Sequence, residues 1–128
     1  MESLKLKITL PIAAKTLYTA WLNSEQHTAF SGGEAIISNK LNETFTAWDG
    51  YITGKNLELV PHKKIVQSWR TAEFKADAPD SILELTFEEK NEKITLHLYH
   101  YNLQKGDAKK YTDGWKASYF EPMREYYK

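Results

Sequence analysis

The stretch DAKKYTDGWKASYFEPMREY, residues 107–126, decides how this chain folds. In it Tyr111, Trp115, Tyr119, Met123 and Tyr126 fall at spacings of four, four, four and three. Those spacings place five large side chains on one face of an α-helix. Ala108 extends the stripe backwards, and Asp107 after Gly106 is the expected N-cap. Gly114 lowers helix propensity locally by about 1 kcal/mol, and its small size would let the helix approach a sheet closely. Pro122 is expected to kink the helix near its end. A stripe of this kind needs an apolar surface to lie on.

The preceding residues supply that surface. Leu4, Leu6, Ile8 and Leu10 alternate with Lys5, Lys7 and Thr9, the period of a strand with one buried face. Pro11 ends the strand. Residues 12–22, with Leu17 and Trp21, read as a short helix. Ser24 is the expected cap of a second helix reaching Phe30, and Gly32-Gly33 follows as a turn. Short strands are expected at Ala35–Ser38 and Thr44–Trp48. The Asp49-Gly50 pair then turns the chain into a return strand, Tyr51–Val60. Gly54 inside that strand marks an expected bulge or bend. Further strands are expected at Lys64–Phe74, Ile82–Glu89 and Ile94–Leu103. Consecutive hairpins make an antiparallel sheet, and the terminal helix is the one long element able to cover it. The fold class is α+β.

Composition narrows the functions available. The 128 residues contain 17 Lys+Arg and 17 Asp+Glu, so the basic excess of a nucleic-acid binder is absent. There are no cysteines, which excludes disulfides, thiolate metal sites and cysteine nucleophiles and fits a reducing cytoplasm. No run approaches the ~18 apolar residues of a membrane span. Four Trp, eight Tyr and five Phe are a heavy aromatic load, suited to a thick core or to the lining of an apolar cavity.

Several of these residues carry a resemblance. Trp48-Asp49-Gly50, Gly54, Leu57-Glu58-Leu59 with Pro61, Val66-Gln67-Ser68-Trp69-Arg70, Thr95 to His100 and Gly114-Trp115 stand in a recognisable order. Together they resemble the START-like, polyketide-cyclase superfamily. The branch is that of the C-terminal domain of the activator of the ninety-kilodalton heat-shock-protein ATPase. The resemblance implies one domain over residues 1–128 with a helix-grip fold. About six or seven antiparallel strands would curve around the terminal helix, with two short helices after the first strand. It also implies a cavity between sheet and helix, which in the wider superfamily holds lipids, sterols, hormones or polyketide intermediates. Eukaryotic co-chaperone relatives carry an additional N-terminal domain that makes much of the chaperone contact. A chain of 128 residues is not expected to include it, and ATPase activation is not carried over.

The expected cavity wall combines Trp21, Phe45, Leu57, Trp69, Leu85, Phe87, Leu96, Leu98 and His100 with Tyr111, Trp115 and Tyr119. His100 shares the parity of Leu96 and Leu98, so its imidazole faces the helix. It would orient a ligand, or it is a core histidine paired to a tyrosine hydroxyl or a backbone carbonyl. Arg70 would reach a carboxylate at the mouth or form a surface ion pair. His27, His62 and His97 are scattered, and no spacing matches a metal motif. Ser68 has no visible base and no Gly-x-Ser-x-Gly occurs. No catalytic residue, metal or cofactor is assigned. The leading expectation is a cytoplasmic binding protein for an apolar or amphipathic small molecule, lipid-like or aromatic. The alternatives are a protein-interaction module or chaperone accessory, and an enzyme on a small hydrophobic substrate. Neither nucleic acid nor membrane is an expected partner.

Overall fold

Alternation along the strands and i+4 spacing along the terminal stripe build two facing layers in the computed structural model, which describes residues 1–128. Strands β1 (Glu2–Leu10), β2 (Thr44–Ala47), β3 (Ile52–Val60), β4 (Lys64–Thr71), β5 (Ser81–Lys90) and β6 (Lys93–Leu103) form one sheet. Its order is β1-β6-β5-β4-β3-β2, and every neighbouring pair is antiparallel. Helices α1 (Ala14–Trp21) and α2 (Ser24–Ser31) follow β1. The terminal helix comprises α3 (Asp107–Trp115), a π-helical turn (Lys116–Phe120) and α4 (Glu121–Tyr126). Leu83, Leu85, Phe87, Leu96 and Leu98 are buried on the sheet face, and Tyr111, Trp115, Tyr119 and Met123 on the helix.

Expectations are corrected at four features, the 35–38 strand, the two helix caps, Gly54 and the end of the stripe, each for a physical reason. Residues 35–38 form no strand; a single bridge joins Ile36 to Thr46. The backbone groups on either side are taken by α2. Thr28 Oγ1 accepts from Ala35 N at 2.9 Å, and Ser24 Oγ accepts from Ile37 N at 2.9 Å. That duty explains why Ser24 is not the cap of α2: Asn23 is, its Oδ1 accepting from Gln26 N at 2.9 Å. Asp107 likewise lies inside α3, behind Gly106 at φ 88°. The capping acceptor comes from the far end of the sequence, where Glu2 Oε1 takes the Ala108 N–H at 3.1 Å. The Gly106 and Ala108 N–H groups hold the Glu2 carboxyl below the ordinary range.

Gly54 is the third correction. The register shift of β3 lies between Asn56 and Glu58, not at Gly54. Glycine at 54 instead permits close approach, since a Cβ there would lie 1.9 Å from Ser68 O and 2.7 Å from the Phe45 ring. Gly54→Ala is therefore expected to destabilise the fold by about 3 kcal/mol, the upper end of overpacking costs. Urea denaturation measures it, and a loss under about 1 kcal/mol would show that β3 and β4 separate freely.

The fourth correction concerns the end of the stripe. Tyr126 is 53 % exposed, while Tyr127 packs against the core. In the π turn the Glu121 N–H bonds back five residues to Lys116 O. That wider turn inserts the equivalent of one extra residue, so an unbroken spacing of four, 111-115-119-123-127, stays on one side. The turn immediately precedes Pro122, which lacks the N–H an α-helix needs there.

Candidate functional site

The β2–β3 turn sets one wall of the site. Trp48, Asp49 and Gly50 all adopt left-handed backbone, with φ of 50°, 59° and 83°. Gly50 suits that conformation and Asp49 tolerates it; for a bulky Trp it is an outlier. Tyr51 N closes the turn on Trp48 O at 3.0 Å, and Asp49 N bonds to Glu34 O at 3.0 Å. The Trp48 indole lies where only a glycine at 33 leaves room, since a Cβ there would sit 2.4 Å from its Cδ2.

Between this turn, the sheet and the terminal helix lies a cavity of about 330 Å³. Its lining is Trp48, Tyr51, Ile52, Trp69, Lys110, Tyr111, Gly114, Trp115, Ser118 and Tyr119. Its volume is at the small end of ligand sites. Of the side chains expected on the wall, Trp69, Tyr111, Trp115 and Tyr119 line it. Trp21, Phe45, Leu85, Phe87, Leu96, Leu98 and His100 are buried in the core away from it. Leu57 is 40 % exposed: it sits in the register shift of β3, on the solvent side. Gly114 corrects a further expectation. A Cβ there would touch nothing within 4 Å, so its smallness keeps space open beside the cavity instead of allowing close helix–sheet packing.

His100 faces the terminal helix but serves the core. The Trp115 indole N–H donates to His100 Nδ1 at 3.0 Å, which leaves His100 Nε2 carrying the proton toward Ser81 Oγ at 2.8 Å. Ser81 Oγ donates in turn to Trp69 O at 2.6 Å. Burial pushes His100 down to about 3. The imidazole is neutral and its lone pair is occupied, so it has no means of taking a proton from Ser81. A second histidine mirrors it. His27 Nδ1–H donates to Trp21 O at 2.8 Å, so Nε2 accepts from Tyr119 O–H at 2.8 Å. Burial lowers His27 to about 4 and raises the Tyr119 hydroxyl. Two ring positions of the helix stripe are thus each fixed to a buried neutral histidine.

Three further polar side chains of the lining, Tyr51, Lys110 and Tyr111, are matched within the protein. Tyr111 Oη pairs with Thr71 Oγ1 at 2.8 Å. Lys110 Nζ lies 2.5 Å from Glu73 Oε1, and the Tyr51 hydroxyl donates to Glu73 Oε2. Burial and the Glu73 carboxylate push Tyr51 up to about 12, and the Lys110 and Tyr51 hydrogen bonds hold Glu73 low. Arg70 stays outside, clamping the β4–β5 loop through Asp80 Oδ1 at 2.8 Å and the Lys75 and Ala78 carbonyls at 3.0 and 3.1 Å.

Sequence reasoning missed a buried polar chain. Trp21 Nε1 approaches Gln67 Oε1 at 3.5 Å, and Gln67 Nε2 donates to Asn56 Oδ1 at 2.9 Å. Asn56 Nδ2 then holds the Ser38 and Lys40 carbonyls at 2.9 and 3.0 Å. Two amides on inward strand positions were its available signal.

A curved antiparallel sheet closed by a terminal helix, with two short helices after the first strand, defines an α+β protein of the helix-grip type. Residues 11–128 match the family described as "Activator of Hsp90 ATPase homolog 1-like protein", and the chain belongs to that family. It is 28 % identical over 122 residues to the human "Activator of 90 kDa heat shock protein ATPase homolog 1", covering 94 % of this chain and 35 % of that protein. The chain therefore spans about a third of the length of the curated relatives it matches. The crystal structure of an HSP90 activator from Plasmodium falciparum superposes with a TM-score of 0.85 at 21 % identity, covering 94 % of this chain and 92 % of that one. CalU16 from Micromonospora echinospora gives 0.82 at 17 % identity, covering 97 % and 74 %. At these identities the two structures speak for the fold. No helix of the protein is long and apolar enough to cross a membrane.

Proposed function

We propose that this chain is a cytoplasmic accessory domain that docks on a chaperone of the ninety-kilodalton heat-shock class. The observation that supports this reading is its alignment, over 94 % of its length, with a curated activator of that chaperone's ATPase. The test is isothermal titration of the chain into a purified chaperone of that class. Saturable binding is expected, together with co-elution on size exclusion. The absence of both at concentrations well above micromolar would end the proposal. Stimulation of ATP hydrolysis is a separate readout and is not required by it.

A second reading is favoured by the aromatic cavity: an apolar or amphipathic small molecule held between the β2–β3 turn and the terminal helix. Burial of its apolar surface would drive affinity at roughly 25 cal/mol per Å², less the entropy of association. Gly114→Leu separates the two readings. The new side chain enters open space, and leucine favours the helix by about 0.5–1 kcal/mol over glycine. The variant is expected to be as stable as the parent or more so and to lose small-molecule binding while still binding the chaperone. Unchanged small-molecule affinity in folded Gly114→Leu would remove the cavity from consideration.

A further inference from the structure

Trp48 carries two separate costs at one point on the cavity wall. Its backbone is left-handed at φ 50°, a conformation disfavoured for a bulky residue. Its Nε1 is the one buried side-chain nitrogen or oxygen without a hydrogen-bond partner. The turn accounts for the first cost. Nothing within the fold accounts for the second, and buried donors in native proteins are almost always paired.

The rest of the wall restricts what could pair with it. The cavity's one ammonium, Lys110, is neutralised by Glu73 at 2.5 Å, and Glu73 is engaged by Tyr51 as well. An anionic occupant would have to displace the protein's own carboxylate. A cationic one would suit the ring faces but brings no acceptor and meets the positive edge of the indole. What remains is a spare indole donor among aromatic rings, with the Ser118 hydroxyl also on the lining and no spare charge.

We infer that the cavity takes an uncharged, ring-bearing molecule carrying a hydrogen-bond acceptor such as a ketone or ester carbonyl, and that Trp48 Nε1–H donates to it. The inference rests on the small-molecule reading of the cavity. Because Nε1 is buried, meeting the acceptor requires the Trp48 ring to turn from its seat over Gly33.

Three probes of one shape test this: 2-acetylnaphthalene, 2-isopropylnaphthalene and 2-naphthoate. Each is titrated into the ¹⁵N-labelled chain while the four tryptophan indole signals, assigned by triple-resonance spectra, are followed. The ketone is expected to bind about tenfold more tightly than the hydrocarbon, the worth of one good hydrogen bond. It should also shift the Trp48 indole N–H downfield and outcompete the carboxylate. In Trp48→Phe the ketone's advantage should vanish; if that variant does not fold, the comparison in the parent decides alone. Equal affinity of ketone and hydrocarbon with an unmoved Trp48 signal would overturn the donor role and leave the cavity reading standing. Tightest binding by the carboxylate would overturn the uncharged class. Failure of all three to bind would overturn both readings together.

Discussion

Lowering the pH from 7.5 to 5 will cost this fold about 4 kcal/mol, through two histidines alone. His27 and His100 are buried and neutral, and burial depresses their pKa values to about 4 and about 3. In the unfolded chain each titrates near 6.5. Above that value neither state binds the proton and the histidines leave stability unchanged. Below it the unfolded chain takes up protons that the native state refuses, so stability falls as pH falls. Each histidine contributes a slope approaching 1.4 kcal/mol per pH unit until its folded pKa is reached. Against a typical stability of 5–15 kcal/mol, a fold at the lower end of that range is expected to unfold in acid between pH 4 and 5. Glu2, Glu73 and Glu88 are held low by their partners, so their protonation acts in the same direction further down. Urea curves at half-unit steps from pH 7.5 to 5 measure the slope. A flat profile over that range would mean that neither imidazole is buried as described.

Much of this arrangement was legible in the sequence because it follows from period. Alternation from Leu83 to Phe87 and from Leu96 to His100 fixed which side chains face the helix. The stripe at 111, 115 and 119 fixed which helix side faces them. Parity placed His100 inward but could not say what it met, because Ser81 and Trp115 reach it from other elements. The cavity was harder to read. It opens at the edge of the sheet beside the β2–β3 turn, so Trp48, Tyr51 and Ile52 line it instead of the central Leu85, Leu96 and Leu98. A filled sheet centre and an open edge share one hydrophobic pattern, and only side-chain volumes in three dimensions separate them. Leu57 and Tyr126 failed for one common reason. A register shift in β3 and a π turn in the terminal helix each break the period on which parity rests. Caps supplied across the chain, such as Glu2 on α3, leave no local trace at Asp107.

Replacing Trp115 by alanine is the mutation expected to do most damage, about 5 kcal/mol. Its ring stacks on Trp21 at a centroid distance of 6.4 Å and packs on Trp69 and Tyr119 at 5.7 and 4.8 Å. Truncation of a buried tryptophan costs roughly 3–5 kcal/mol in lost burial and cavity formation. It also strips His100 Nδ1 of its donor in a dry environment, roughly a further 1–3 kcal/mol, though the two effects overlap. The sum rivals the whole stability of a domain this size, so Trp115→Ala should be partly unfolded at room temperature. Trp115→Phe divides the effect: it keeps most of the ring packing and removes the N–H. Without that donor the Nδ1 lone pair is free to take a proton, so the His100 pKa should rise from about 3, while burial still holds it below its ordinary value. The acid-induced loss of stability should become correspondingly shallower in that variant, although its stability at pH 7.5 is lower. NMR titration of the His100 ring protons gives the pKa, and chemical denaturation gives the stability. If Trp115→Ala remains within about 1 kcal/mol of the parent, the helix is not held to the sheet through this residue. If Trp115→Phe leaves the His100 titration where it was, the indole–imidazole bond adds nothing to the burial that keeps that histidine neutral.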